Sequence, residues 1–258
     1  MKKTFSFLAA MLAVIVSVSA QDSAAAIITR ANEINNASTM SSRSRMVITA
    51  RDGSTSERVI DQFSKDDANG NARSVIVFQN PATVRGTRFL TMDTPSGRSD
   101  QWIFLPSLGR VRRIVSSESG GNFMGTDFSY DDMSMMGRSV DLDTHRILRE
   151  ETLNGNLCYV IESVPIGDFQ YARTLTWIDK ANYRTYRKEM FDRRGTLVKV
   201  MEMSGFRDVQ GYDTPMETKL STVAADTFTT IFFETVRYDE PIPEGVFTTG
   251  FLETGRAR

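Results

Sequence analysis

The sequence predicts a mostly β protein of the α+β kind, an antiparallel array of about 11–13 strands with one helix at the N-terminal end and one short helix mid-chain. Three observations lead there. Short apolar runs rich in Val, Ile, Phe and Tyr recur at regular intervals. Turn pairs such as Asp52-Gly53 and Asn154-Gly155 separate many of them, and these favour hairpins. Nearly all the connections are short, as an antiparallel meander requires.

The chain opens with Lys2 and Lys3, then an apolar stretch from Phe5 to Val18 broken only by Ser6 and Ser17, then Val18-Ser19-Ala20. A positive start, a short apolar segment and a small-residue exit describe a secretory signal peptide over residues 1–20. The stretch is too short to span a bilayer comfortably as a permanent helix. No Cys stands near the cut to carry a lipid, so the expectation is release without a lipid anchor. Residues 21–258 are then expected to form one domain, with no composition break and no repeat.

Residues 22–37 carry Ala24, Ile27, Ile28, Ala31 and Ile34 at helical spacing, with Asp22 or Ser23 placed to cap the start. Strand-like runs follow: Ser44 to Arg51, Glu57 to Ser64, Arg73 to Gln79, Thr87 to Met92, Gln101 to Leu105 and Arg110 to Val115. Val75-Ile76-Val77-Phe78 suits a strand buried on both faces. Pro95-Ser96-Gly97 breaks the fourth run, and Pro106 to Gly109 separates the last two. The second half repeats the pattern: His145 to Leu153, Leu157 to Val164, Tyr171 to Ile178, Tyr183 to Phe191, Leu197 to Phe206, Pro215 to Val223 and Thr227 to Tyr238.

Residues 116–140 differ. They hold Phe123, Met124, Phe128, Tyr130, Met133, Met135 and Met136 among Gly and Ser residues. Ser129 followed by Asp132 is a capping box, so a short helix is expected to begin there. Lying between two sets of strands, this segment can cross the sheet as a lid. Its flexible Met side chains suit a surface that accepts variable apolar shapes.

Composition and motifs exclude several classes. The formal charge of −1 argues against nucleic acid. His145 is the only histidine and is read as a strand-edge residue; with no nucleophile in a recognisable turn, it makes no triad. Cys158 is the only cysteine, read as a small buried hydrophobe. No metal or cofactor site is expected: zinc lacks its ligands, and Asp127, Asp131 and Asp132 miss a calcium-loop spacing. Asp131 and Asp132 are assigned to helix capping. Arg110 and Arg112 share one strand face and Arg113 takes the other; they are expected on a solvated face or in ion pairs with those aspartates.

Two blocks, Trp102 to Ile114 and Phe123 to Met133, resemble the W-x-Y-L-P-x-L-x-R-x-R-R-I and F-x-G-S-D-F-S-Y-E-D-L signature of the outer-membrane lipoprotein-sorting protein family, the broad LolA-like group. Trp177 to Lys180 with Tyr183, Phe191 to Gly195, Leu197 to Lys199 and Ile242 to Thr248 fit its pattern as well. The resemblance implies an unclosed antiparallel barrel around an apolar cavity with helices as a lid. It implies the periplasm, no catalytic residues, and a carrier that moves the acyl chains of a lipid or lipoprotein toward the outer membrane. An inner-membrane transporter and an outer-membrane acceptor would be its partners, and the chain is expected to act as a monomer. Trp102, Phe104, Phe123, Met124, Phe128, Tyr130 and Met133 are the expected cavity and lid residues. The alternative is a periplasmic sensor or adaptor similar to RseB, with Arg110 and Arg112 docking a peptide or membrane protein.

Overall fold

The computed structural model describes residues 23–34, 36–94, 99–134 and 138–257. Residues 1–20, expected as a signal peptide, the expected break at Pro95-Ser96-Gly97, and Met135 and Met136 lie outside them. A helix α1 (Ala24–Glu33) precedes β1 (Thr39–Thr49), β2 (Thr55–Asp66), β3 (Ala72–Asn80), β4 (Arg88–Asp93), β5 (Ser99–Leu105) and β6 (Arg110–Arg113). A short helix α2 (Tyr130–Ser134) and a 3-10 turn (Val140–Leu142) lead to β7 (Asp143–Leu153). Then come β8 (Asn156–Pro165), β9 (Arg173–Asp179), β10 (Thr185–Phe191), β11 (Leu197–Val209), β12 (Tyr212–Thr222) and β13 (Thr227–Tyr238). A second 3-10 turn (Glu244–Phe247) and α3 (Thr249–Thr254) end the described chain.

All thirteen strands join one sheet in the order β6-β5-β4-β3-β2-β1-β13-β12-β11-β10-β9-β8-β7. Every recorded pairing is antiparallel, and β1 pairs with β13 to join the two halves of the meander. Strands β6 and β7 are the two edges, so the barrel does not close. No helix among the described residues is long and apolar enough to cross a membrane.

Each expected run became a strand. The Asn154-Gly155 hairpin has φ of 50° and 85°, the left-handed pair that a two-residue primed turn needs. Three expectations need correction. The first helix is shorter than residues 22–37: it starts where the Ser23 side chain accepts from the Ala26 amide at 3.2 Å and ends by Glu33. Strand β1 begins at Thr39, five residues before the expected Ser44, because its polar Ser41, Ser42 and Arg43 still pair with β2 and hide the apolar alternation. The helix α3, only six residues long, was not anticipated.

Residues directly opposite on neighbouring strands share a sheet face, so the register sorts the core. One face, the inner one, carries Ile60, Phe78, Phe89, Ile103, Met190, Met201, Leu220 and Ile231 in one cluster with Phe123, Phe128, Tyr130 and Met133. The other face of β3 and β4 carries Val75 and Leu90, covered by Val246, Phe247 and Leu252 of the C-terminal segment. Both faces of β3 are thus buried, as its unbroken apolar run requires. At the far end of the inner face α1 sets Ala24 and Ile27 against Ile161 and Ile178. Outside it, Cys158, Val160, Leu175 and Trp177 form a separate cluster.

Candidate functional site: an anchored lid on the inner face

The edge strands β6 and β7 are consecutive in sequence. The chain between them has to pass from one edge of the barrel to the other, and its residues 123–133 lie along the inner face. Phe123 and Phe128 are fully buried there, and Tyr130 and Met133 are nearly so. Phe123 lies 4.9 Å from the Phe89 ring, 5.7 Å from Phe78 and 5.6 Å from Tyr130, within the range of favourable aromatic pairs. The lid is an apolar plug as well as a cover.

The expected capping box is present in both directions. The Ser129 amide donates to Asp132 Oδ2 at 2.7 Å, and the Asp132 amide donates to Ser129 Oγ at 3.0 Å. The same Asp132 carboxylate is also the lid's anchor. Its Oδ1 accepts from Gln170 Nε2 at 2.9 Å and from the Tyr171 hydroxyl at 2.7 Å. Lys199 Nζ on β11 meets Oδ2 at 2.5 Å, with the Asp132 side chain 1% and Lys199 13% exposed. Burial, then the nearby Asp132 carboxylate, push the Tyr171 hydroxyl well above the ordinary tyrosine range.

A second buried carboxylate holds the other end. Asp127 Oδ1 accepts from Thr222 at 2.7 Å and from Thr227 at 2.5 Å, and Oδ2 accepts from Thr229 at 2.8 Å. The Asp127 amide donates to Thr229 Oγ1 at 3.0 Å. Gln101 Nε2 on β5 donates to the Tyr130 carbonyl at 2.7 Å. These partners lie about 30 to 100 residues from the lid in sequence, and nothing in the sequence marks the strand threonines, Gln170, Tyr171 or Lys199 as partners of the lid. The available signal was a lysine between Val198 and Val200 in a strand, a position where a charge needs a partner.

Phe123, Phe128, Tyr130 and Met133 stand together on the inner face, and Met124, at φ 52°, packs partly buried at the edge of the same cluster. Trp102 and Phe104 do not join them. They alternate with Ile103, so they point to the opposite face and pack against the C-terminal segment. The aspartates do not pair with the arginine cluster either. Arg112 bonds Glu118 at 2.8 Å and Arg113 bonds Asp100. Asp127 and Asp132 are turned inward, where β11, β12 and β13 supply their partners. Arg110 is exposed.

His145 lies on the edge strand β7, with Nδ1 2.8 Å from Ser163 Oγ and Nε2 2.9 Å from the Val140 carbonyl. The Cys158 thiol is fully buried, and burial together with the Asp179 charge pushes it up to about 11, so it stays a thiol. Among the described residues no group of three His, Cys, Asp or Glu side chains stands together to hold a metal.

An unclosed barrel with its own lid across the mouth defines a LolA-like protein. Residues 70–254 match the model of a family described as "Uncharacterized protein". The chain belongs to that family, and its structural neighbours are LolA-like proteins of the broad outer-membrane lipoprotein-sorting kind. Its structure is similar to a DUF1329 family protein from Desulfovibrio piger, 27% identical, with a TM-score of 0.84 over 89% of this chain and 97% of that one. It is similar to an outer membrane lipoprotein-sorting protein domain from Vibrio parahaemolyticus, 25% identical, with a TM-score of 0.82 over 89% and 98%. A LolA superfamily protein from Nitrosomonas europaea shares the fold at 20% identity, with a TM-score of 0.74 over 90% and 100%. No curated protein matches the sequence.

Proposed function

We propose that this protein is a periplasmic carrier that shelters an acyl chain of a lipid or lipoprotein under the lid and moves it toward the outer membrane. The observation that carries the reading is the lid itself: an apolar plug of Phe123, Phe128, Tyr130 and Met133 on an apolar sheet face. The energetics suit exchange. Burying about a dozen methylenes yields about 10 kcal/mol, and four large side chains at about 1.5–3 kcal/mol each yield a comparable sum. An acyl chain that displaces the plug therefore gains and loses similar amounts, and loading and release both stay accessible.

The test is native mass spectrometry of protein purified from the cell envelope, with titration of a fluorescent fatty acid. A co-purifying amphiphile and saturable probe binding are expected. An empty protein that also ignores the probe would end this reading. A competing reading, an adaptor for a peptide or membrane protein, rests on Arg110, which is exposed at the edge strand and forms no ion pair among the described residues. A stable protein partner captured from membrane extract through Arg110, and unaffected by added lipid, would favour it.

A further inference from the structure

Two lysines point to the inner face on neighbouring strands. Lys188 of β10 sits opposite Met201, and Met190 sits opposite Lys199 of β11. The lid gives Lys199 a carboxylate. Lys188 forms no hydrogen bond or ion pair among the described residues. It lies at the wall of a recess of about 90 Å³ between α1 and the sheet, several times the ~10–15 Å³ that one water needs.

The polar groups of this recess are arranged for an acceptor ligand. Asp143, the carboxylate in the wall, is already bound by Arg138 at 2.7 Å. The charged side chains there are thus two cations against one carboxylate, with a net positive balance. His145 Nε2 faces a carbonyl, which can only accept, so Nε2 carries the proton. In the neutral ring Nδ1 then accepts from Ser163, whose hydroxyl proton is committed. Thr174, Thr176 and Thr185 also line the recess, and their hydroxyls have no protein partner among the described residues. Burial pushes the Lys188 ammonium below its ordinary value; Asp143 opposes that and Arg138 adds to it. An anion beside the ammonium would reverse the trend.

We infer that this recess is an oxyanion site, in which Lys188 and the hydroxyls of Thr174, Thr176 and Thr185 bind a carboxylate or phosphate group. Arg138 supports it from the rim, stacked 4.4 Å above the Phe169 ring. Phe169 belongs to the wall of the recess and to the edge of the lid core at once. An oxyanion that carries a tail could therefore send it past Phe169 toward the lid. The oxyanion belongs either to an amphiphile's head group or to a free ion, and the two sources are separable by experiment.

The experiment is calorimetric titration of the purified protein and its Lys188→Met, Lys188→Arg and Thr176→Val variants with inorganic phosphate, dodecyl phosphate and dodecanol. Thermal melts establish that each variant is folded; Lys188→Met is expected to melt no lower than the parent, because it removes an unpaired charge. Wild type is expected to bind an anion with about tenfold or greater preference over dodecanol, as one charge-assisted contact allows. Lys188→Met should lose that preference, Lys188→Arg should keep it, and Thr176→Val should weaken it. Phosphate binding lost in Lys188→Met assigns a free oxyanion. A Lys188-dependent preference seen only with dodecyl phosphate assigns a head group. If wild type binds neither anion, or folded Lys188→Met binds both as wild type does, the site is overturned. Phosphate binding without any dodecanol binding would leave this site standing while counting against the acyl-carrier reading.

Discussion

Replacing Asp132 by Asn tests whether the lid is held by one buried carboxylate. The two oxygens divide four donors: Oδ1 takes Gln170 and Tyr171, and Oδ2 takes the Ser129 amide and Lys199. An Asn amide keeps one acceptor. If its oxygen faces Gln170 and Tyr171, its NH₂ group confronts the Ser129 N–H and the Lys199 ammonium. Flipped, it restores those and confronts the Gln170 amide instead. Either way Lys199, 13% exposed, loses its counter-charge. Breaking one side of a buried pair costs about 3–5 kcal/mol, and that loss is the expected change in unfolding free energy by urea titration at pH 7. The double variant Asp132→Asn with Lys199→Met removes the stranded charge and should be more stable than Asp132→Asn alone. Amide exchange in residues 123–133 should accelerate before that of the strands. A loss below about 1 kcal/mol, or a double variant no better than the single one, would refute the anchoring argument.

Other outcomes follow from separate features. Burial raises the Asp93 carboxyl, with Asp66 adding to it and the Ser99 hydrogen bond opposing. The folded state therefore bears a cost when Asp93 is ionised, and Asp93→Asn should be more stable than wild type at pH 7. That gain should vanish as the pH falls through the carboxylate range, where Asp93 is protonated in both states; a gain independent of pH would contradict it. At Gly255, φ is +68° and an added Cβ would lie 2.7 Å from Arg88 Nη2, whose guanidinium also donates to the Leu252 carbonyl. Gly255→Ala should lower stability by about 1 kcal/mol or more in thermal unfolding, since it combines left-handed strain with a clash. Cys158 should resist a thiol reagent at pH 8 in the folded protein and react in urea; ready modification without unfolding would mean that the outer cluster opens.

The strands were legible because their signals are local. Asn154-Gly155 sets a hairpin by itself, and Val75 to Phe78 shows burial on both faces through an unbroken apolar run. The lid's capping box was legible for the same reason, since Ser129 and Asp132 are one turn apart. Which strand each lid residue meets was not legible. Asp127 reaches Thr222, Thr227 and Thr229 only after the meander returns to β12 and β13. Trp102 and Phe104 were placed with the lid because β5 is apolar on both faces, and alternation separates the faces without saying which one the lid covers. The short α3 has too few residues to display a helical period.

The position of residues 114–142 between the two edge strands has a mechanical consequence. A flap hinged at one end can swing clear of an opening, but a band fastened to both rims cannot. It has to bow outward or shift sideways, so on the proposed carrier reading a guest would enter beside it rather than past a free tip. Because the described residues of the band supply no strand to the thirteen-stranded ladder, a shift of the band would leave the ladder's pairing intact. A single backbone cut within it would turn one strap into two loose ends on an unchanged frame.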